Sequence, residues 1–340
     1  MQLPLVYKEK PQILAHPADT GGCGWYRVVV PAQTLSVYEG MRVQIGGLQS
    51  LDPIQMKMTG GSVAVVQRQT ETVQIDVVKA YHNLGVKVVH DLDDLLWNAP
   101  VYNAYRPMFK KERKQTLDWI LRNADVLTTS TVPLSDAIFD RHKRRAAVIP
   151  NVLATSLFQR PKPRVSGKLR VGWAGSNTHS HDLERLRTVI IQTHKEISWV
   201  FLGYAPKELL PYVEIHPPVD VRRYVQALSL LNLDVAVAPL DDNHFNQCKS
   251  NLKLVEFGAI GLPVVTSDVY PYKDNPGFKI KNSRKEWKEW IDVLMEYSRN
   301  EPLRFLHASL TSEYAYGFNS GNTEYRNLIK RVWWSDNTSE

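Results

Sequence analysis

The sequence predicts an α/β protein made of two parallel, helix-flanked sheets in tandem. Two observations predict it. Short apolar runs alternate with stretches of helical spacing along the chain, and such alternation buries each strand between helices on both faces of a parallel sheet. The alternation is broken once, by "VLATSLFQRPKPRVSGK" at 152–168, whose Pro, Lys and Arg content reads as a linker. Length agrees, since 340 residues is long for one core and comfortable for two domains of about 150 residues.

In order, "ILAH" at 13–16, "VAVVQ" at 63–67, "VKVVH" at 86–90 and "DVLTT" at 125–129 read as buried strands. Helical spacing fills 71–84 and 105–123. Past the linker come a strand "LRVGWAG" at 169–175, a helix over about 181–195 and a strand "WVFLG" at 199–203. A helix over about 221–232, a strand "DVAVAPL" at 234–240, a further helix and a strand "PVVTS" at 263–267 complete the set. The expected domains are 1–155 and 165–320, each Rossmann-like.

Composition excludes some classes and leaves others open. No run of about 18 apolar residues exists, so a transmembrane helix is excluded. The opening "MQLPLVYKEKPQ" has no apolar core of a signal peptide, and Cys23 and Cys248 lie far apart. Both observations point to a reducing, cytoplasmic compartment. The net charge is +7, and residues 1–160, with 19 basic and 14 acidic residues, hold +5 of it. The clusters "KKERK" at 110–114 and "RHKRR" at 141–145 are either solvated faces or contacts for a polyanion.

Ligands of open α/β sheets bind beyond the carboxyl ends of the strands. The most informative such stretch is "NQCKSNLKLVEFGAIGLPVV" at 246–265. As one helix it would carry Lys249, Lys253 and Glu256 on a single narrow stripe. The ordinary reading is a solvated face with local ion pairing. The chemical reading is a diphosphate cradle, in which Lys249, Lys253, the Ser250 hydroxyl and a helix N-terminus meet phosphate and Glu256 accepts from ribose hydroxyls. In "VVHDLDDLLW", Asp91 and Asp93 imitate a metal-binding pair, or Asp93 or Asp94 caps a helix. His179 and His181, two apart with no third ligand nearby, read as loop histidines.

The segment "APL…FN..KS.LKLVEFGAIGLPVV" resembles the donor-binding segment of GT-B glycosyltransferases of the family 4 type. "VGWAGSNTHSHDL" and "GGCGWYRVVVPAQTL" are similar to loops of bacteriophage-encoded members. That resemblance implies that Gly175 and Ser176 admit backbone close to the donor phosphates, where the plain alternative is a strand-to-helix turn capped by Asn177 or Thr178. It implies that Gly21, Gly22 and Gly24 line the cleft opposite those phosphates, with Arg27 directed at an anion. The resemblance implies two Rossmann-like domains facing an interdomain cleft, with residues 321–340 packing back on the first domain through Trp333 and Trp334. It implies a nucleoside-diphosphate sugar as donor substrate, UDP-sugar favoured, with no metal or other cofactor. Lys249 or Lys253 would hold the diphosphate and Glu256 the ribose. His90 and Asp91 would stand at the transfer point, with Asp91 as base if the enzyme inverts. If it retains configuration, the leaving phosphate assists. Cys248 stands where the family often has a second Glu, which leaves the sugar contact and the stereochemistry open. The acceptor alternatives are a hydroxymethylated base in phage DNA, a virion protein and a cell-surface glycan. A non-catalytic nucleotide-sugar or nucleic-acid binding protein is the reading from another class.

Overall fold

The apolar runs become strands because each is buried on both faces. In the computed structural model, which describes residues 13–46, 61–103, 106–159 and 167–334, Val63–Gln67 is buried at every position. So is Val235–Ala238. The opening segment 1–12 and the 160–166 part of the expected linker lie outside the described residues.

The described residues group into two units. One falls within Met1–Ala99, Tyr105–Asn151 and Ser320–Glu340, the other within Pro100–Ala104 and Val152–Asn319. The strands of the first are β1 (Ile13–His16), β2 (Val43–Ile45), β3 (Val63–Gln67), β4 (Lys87–Leu92), β5 (Val126–Thr129) and β6 (Ala147–Val148). Its helices are α1 (Val30–Glu39), α2 (Val73–Asn83), α3 (Lys111–Asn123) and α4 (Val132–His142). The strands pair in parallel in the order β2-β1-β3-β4-β5-β6. The chain moves outward from β1 in one direction and then the other, so the crevice of this sheet opens between the ends of β1 and β3.

The second unit has β7 (Leu169–Gly175), β8 (Ile197–Gly203), β9 (Val213–His216), β10 (Val235–Ala238), β11 (Val264–Ser267) and β12 (Lys279–Ile280). Around them stand α5 (Ser180–Thr193), α6 (Val221–Leu230), α7 (Leu252–Ala259), α8 (Glu286–Arg299) and α9 (Glu301–Tyr316). These strands also run parallel, in the order β12-β11-β10-β7-β8-β9, and the reversal falls between β7 and β10. Its core is aromatic as well as aliphatic. Trp173, Trp199 and Trp290 are fully buried among Leu186, Ile190 and Phe201.

A last helix, α10 (Thr323–Ile329), belongs with the first unit. Arg326 and Lys330 reach Glu39 at 3.3 and 3.2 Å, Arg326 lies over the Tyr38 ring, and Trp333 is buried. Two expectations shift at the level of elements. The helix expected over 105–123 begins only at Lys111, after a short turn at Arg106–Met108. The stretch 246–259 is divided between two helices, His244–Gln247, capped by the Asn243 side chain, and α7, which starts after Asn251, whose amide donates to the Tyr314 hydroxyl.

Candidate functional site

At the β7–β10 reversal the sequence delivers its polar side chains to one place. β7 ends in Gly175, where a Cβ would stand 3.1 Å from Lys253 Nζ, so the lysine lies against the strand end. Gly203 ends β8 beside it at φ +102°, and a Cβ there would come within 2.4 Å of the Gly175 carbonyl. Backbone conformation and space both demand glycine at 203. The Lys253 ammonium donates to the Ala174 carbonyl and sits 5.3 Å above the Trp173 ring. Burial holds it below the ordinary lysine range; Lys249 adds to that, while Glu256 and Asp182 oppose it.

Lys249 and Ser250 fall in the break before α7, so they share no helical stripe with Lys253 and Glu256. The loop nonetheless returns Lys249 to within electrostatic reach of Lys253 and His179, its ammonium 4.8 Å over Phe245. Glu256, one turn into α7 beyond Lys253, is only 4% exposed. Ser176 is exposed, and its hydroxyl is 2.7 Å from that of Thr178. Cys248 is wholly buried, so that position offers a packed thiol where the resemblance expects a Glu.

The second unit also reveals a pair that the sequence reading set aside. His179 Nδ1 is 2.9 Å from Asp182 Oδ2, and Asp182 Oδ1 accepts from the Asp241 backbone N–H at 3.1 Å. Arg185 braces this group by binding Asp241 and, at 2.6 Å, Glu286. Tyr102 lies over His181, ring centroids 3.7 Å apart, and its hydroxyl accepts from Asn243. The available signal was His-x-x-Asp at i,i+3 in the first turn of a helix; attention to metal spacing hid it.

The first unit corrects three expectations. Arg27, in a π-helical turn over Trp25–Val29 that leads into α1, faces an internal anion. Its Nε and Nη2 donate to Asp91 at 3.1 and 2.7 Å, and Nη1 donates to the Ile149 carbonyl and to Asn151. Thr128 also donates to Asp91, so neither Arg27 nor Asp91, both under 3% exposed, is presented to a ligand. Burial raises the Asp91 carboxyl from its usual range against the pull of Arg27. His90 is likewise buried in β4, accepts from the Gln69 N–H, and is held neutral by burial down to about pH 3. The third concerns the glycine loop. Gly21 and Gly24 donate their N–H groups to Asp19 Oδ1 at 2.9 and 3.0 Å, so the loop carries its own anion. Gly24 is required because a Cβ would strike the Asp19 carbonyl at 2.0 Å; Gly22 has open space around it.

Asp93 is engaged as well. Arg68, in the left-handed region at φ 50°, binds Asp93, Asp94 and the Cys23 sulfur. Burial works against it, yet Arg68 holds Asp93 below the usual carboxylate range. Among the described residues, no group of three or more His, Cys, Asp or Glu is arranged to hold a metal ion. The arginines of the basic clusters are engaged at home: Arg113 with Glu71, Arg141 with Asp118, Arg145 with Asp136, and Arg144 with the carbonyls of Leu121 and Asp125. No helix among the described residues is long and apolar enough to cross a membrane.

No protein-family model matches the sequence, and a search of curated proteins finds no match. Solved structures do resemble the chain. Sucrose-phosphate synthase from Thermosynechococcus elongatus is similar with a TM-score of 0.69 at 13% identity, over 96% of this chain and 98% of that one. HepE from Anabaena, solved with UDP and glucose, gives 0.69 at 13% identity over 95% and 99%. The lipopolysaccharide outer core galactosyltransferase WaaB gives 0.59 at 12% over 95% and 99%. At such identities the shared property is the fold, the GT-B arrangement of two Rossmann-like α/β domains.

Proposed function

We propose that this chain is a GT-B glycosyltransferase that moves a sugar from a nucleoside-diphosphate sugar, UDP-sugar favoured, to a hydroxyl acceptor. The observation that carries the reading is the meeting of Lys253, Gly175 and Glu256 at the carboxyl edge of the second sheet. Two fixed cations, Lys249 and Lys253, face the diphosphate, while the Gly175–Ser176 turn lets backbone approach it. Glu256, buried a turn deeper, accepts from the ribose hydroxyls. A bound UDP-glucose in a structure of HepE, a similar fold, supports the donor class.

The cations that neutralise the departing diphosphate are side chains in this reading, and transfer needs no metal. Asp91 has both oxygens engaged beneath the surface, which makes it a poor base. The retaining course is therefore favoured, with the leaving phosphate taking the acceptor's proton. A carbohydrate or another neutral hydroxyl compound suits the first unit better than DNA, because the arginines of its basic clusters are engaged and its glycine loop already holds a carboxylate.

Titration calorimetry with UDP tests the donor site. The native chain should bind, and Lys253→Ala and Glu256→Ala should each weaken binding at least about tenfold, or about 1.4 kcal/mol, with thermal unfolding little changed. Native affinity in both variants would remove the cradle.

A further inference from the structure

We propose that His179, steered by Asp182, charges when the diphosphate binds and then donates from Nε2 to the leaving phosphate. The inference rests on the donor reading above and assigns a role within that site to a residue outside the lysine cradle.

Geometry sets the tautomer. Asp182, mostly buried, accepts at 2.9 Å from Nδ1 and is itself fixed by the Asp241 N–H, so it cannot turn to serve another donor. With Nδ1–H committed to Asp182, a neutral ring presents a lone pair at Nε2. A phosphate oxygen is also an acceptor, so a neutral His179 and a phosphate would confront each other unfavourably. Only the imidazolium, with a donor on each nitrogen, satisfies the carboxylate and the phosphate together.

Electrostatics set the timing. His179 sits at the amino end of α5, just past the end of β7, with Lys253 and Lys249 as its cationic neighbours. Before nucleotide binds, burial and these lysines hold the ring neutral below the ordinary histidine range, and Asp182 is the opposing pull. The other charges around the group are already paired or lie deeper: Asp241 and Glu286 with Arg185, and Glu256 beside Lys253. A diphosphate adds at least two negative charges beside the lysines and reverses their effect on the ring. In the transfer, the bond between the sugar's anomeric carbon and the β-phosphate oxygen breaks with its electron pair staying on that oxygen, and the acceptor's hydroxyl oxygen forms the new bond to the anomeric carbon. Nε2–H stabilises the charge there by a hydrogen bond. The acceptor's proton passes to the phosphate, and His179 gives up its own proton when the nucleotide leaves. Asp182 is a positioning residue.

The test is calorimetry of UDP binding in two buffers of different ionisation enthalpy at about pH 7.5, where UDP itself is almost fully deprotonated. The native chain should take up a proton, approaching about one per UDP, and its affinity should fall as pH rises from 6.5 to 8.5. His179→Gln should bind UDP about tenfold more weakly and take up none. Asp182→Asn keeps the imidazole and should take up less than the native chain, with its folding checked by thermal unfolding. UDP binding without proton uptake, or uptake unchanged in His179→Gln, overturns the proposal and leaves the donor site standing. A native chain that binds neither UDP nor UDP-glucose overturns both.

Discussion

Removing one partner of the Arg27–Asp91 pair leaves the other charged and unpaired beneath the surface of the first unit. Arg27→Met should therefore cost roughly 3–5 kcal/mol of stability, and adding Asp91→Leu should recover much of it, as denaturant melts would show. His90 allows a pH prediction. Its folded value, about 3, lies below the ordinary 6.5, so the unfolded chain binds the proton first as pH falls. The stability due to the neutral ring is complete above 6.5 and declines by about 1.4 kcal/mol per pH unit between 6.5 and 3. Melts at pH 7 and pH 4.5 should show a shallower loss in His90→Gln. Single residues were unevenly legible in the sequence. Lys253 and Glu256 emerged from helical spacing, which is local information. The internal anion of Arg27 did not, because whether an arginine meets a ligand or a carboxylate 64 positions away depends on tertiary contact, while Asp19, two residues before Gly21, was within local reach and was passed over.

At the scale of elements, eight strands were read nearly to their ends, since a run such as Val63–Gln67 has no amphipathic alternative. The four edge strands β2, β6, β9 and β12, short and half-exposed, were not read. The break between His244–Gln247 and α7 was missed because apolar spacing continues across it; Asn243, which caps the first short helix, was the available sign. That break puts Lys249 on a loop, free of the α7 register. Insertion of one glycine between Ser250 and Asn251 should therefore weaken UDP binding through Lys249 while leaving α7 and the melting temperature nearly unchanged. Gly203→Ala acts on an element junction. The φ of +102° and the 2.4 Å approach to the Gly175 carbonyl should together cost at least about 1–3 kcal/mol. The expected result is a lower melting temperature together with weaker UDP binding, because the end of β7 must shift.

For the whole molecule, the excess of +7 invites a polyanion, and the engagement of the four cluster arginines argues against one. Duplex DNA should show no labelled sugar after incubation with the protein and labelled UDP-sugar, at either 50 or 200 mM salt. Labelled hydroxymethylated DNA would reverse the acceptor assignment. Another feature at this scale is the order in which the units use the chain. The path passes between them at 99/100, 104/105, 151/152 and 319/320. No single cut can separate the two as independent pieces, so a clone ending at residue 151 lacks α10 and Trp333. During synthesis the first unit begins first and is completed last. The helix α10 and the buried Trp333 that complete it are made only after the whole second unit.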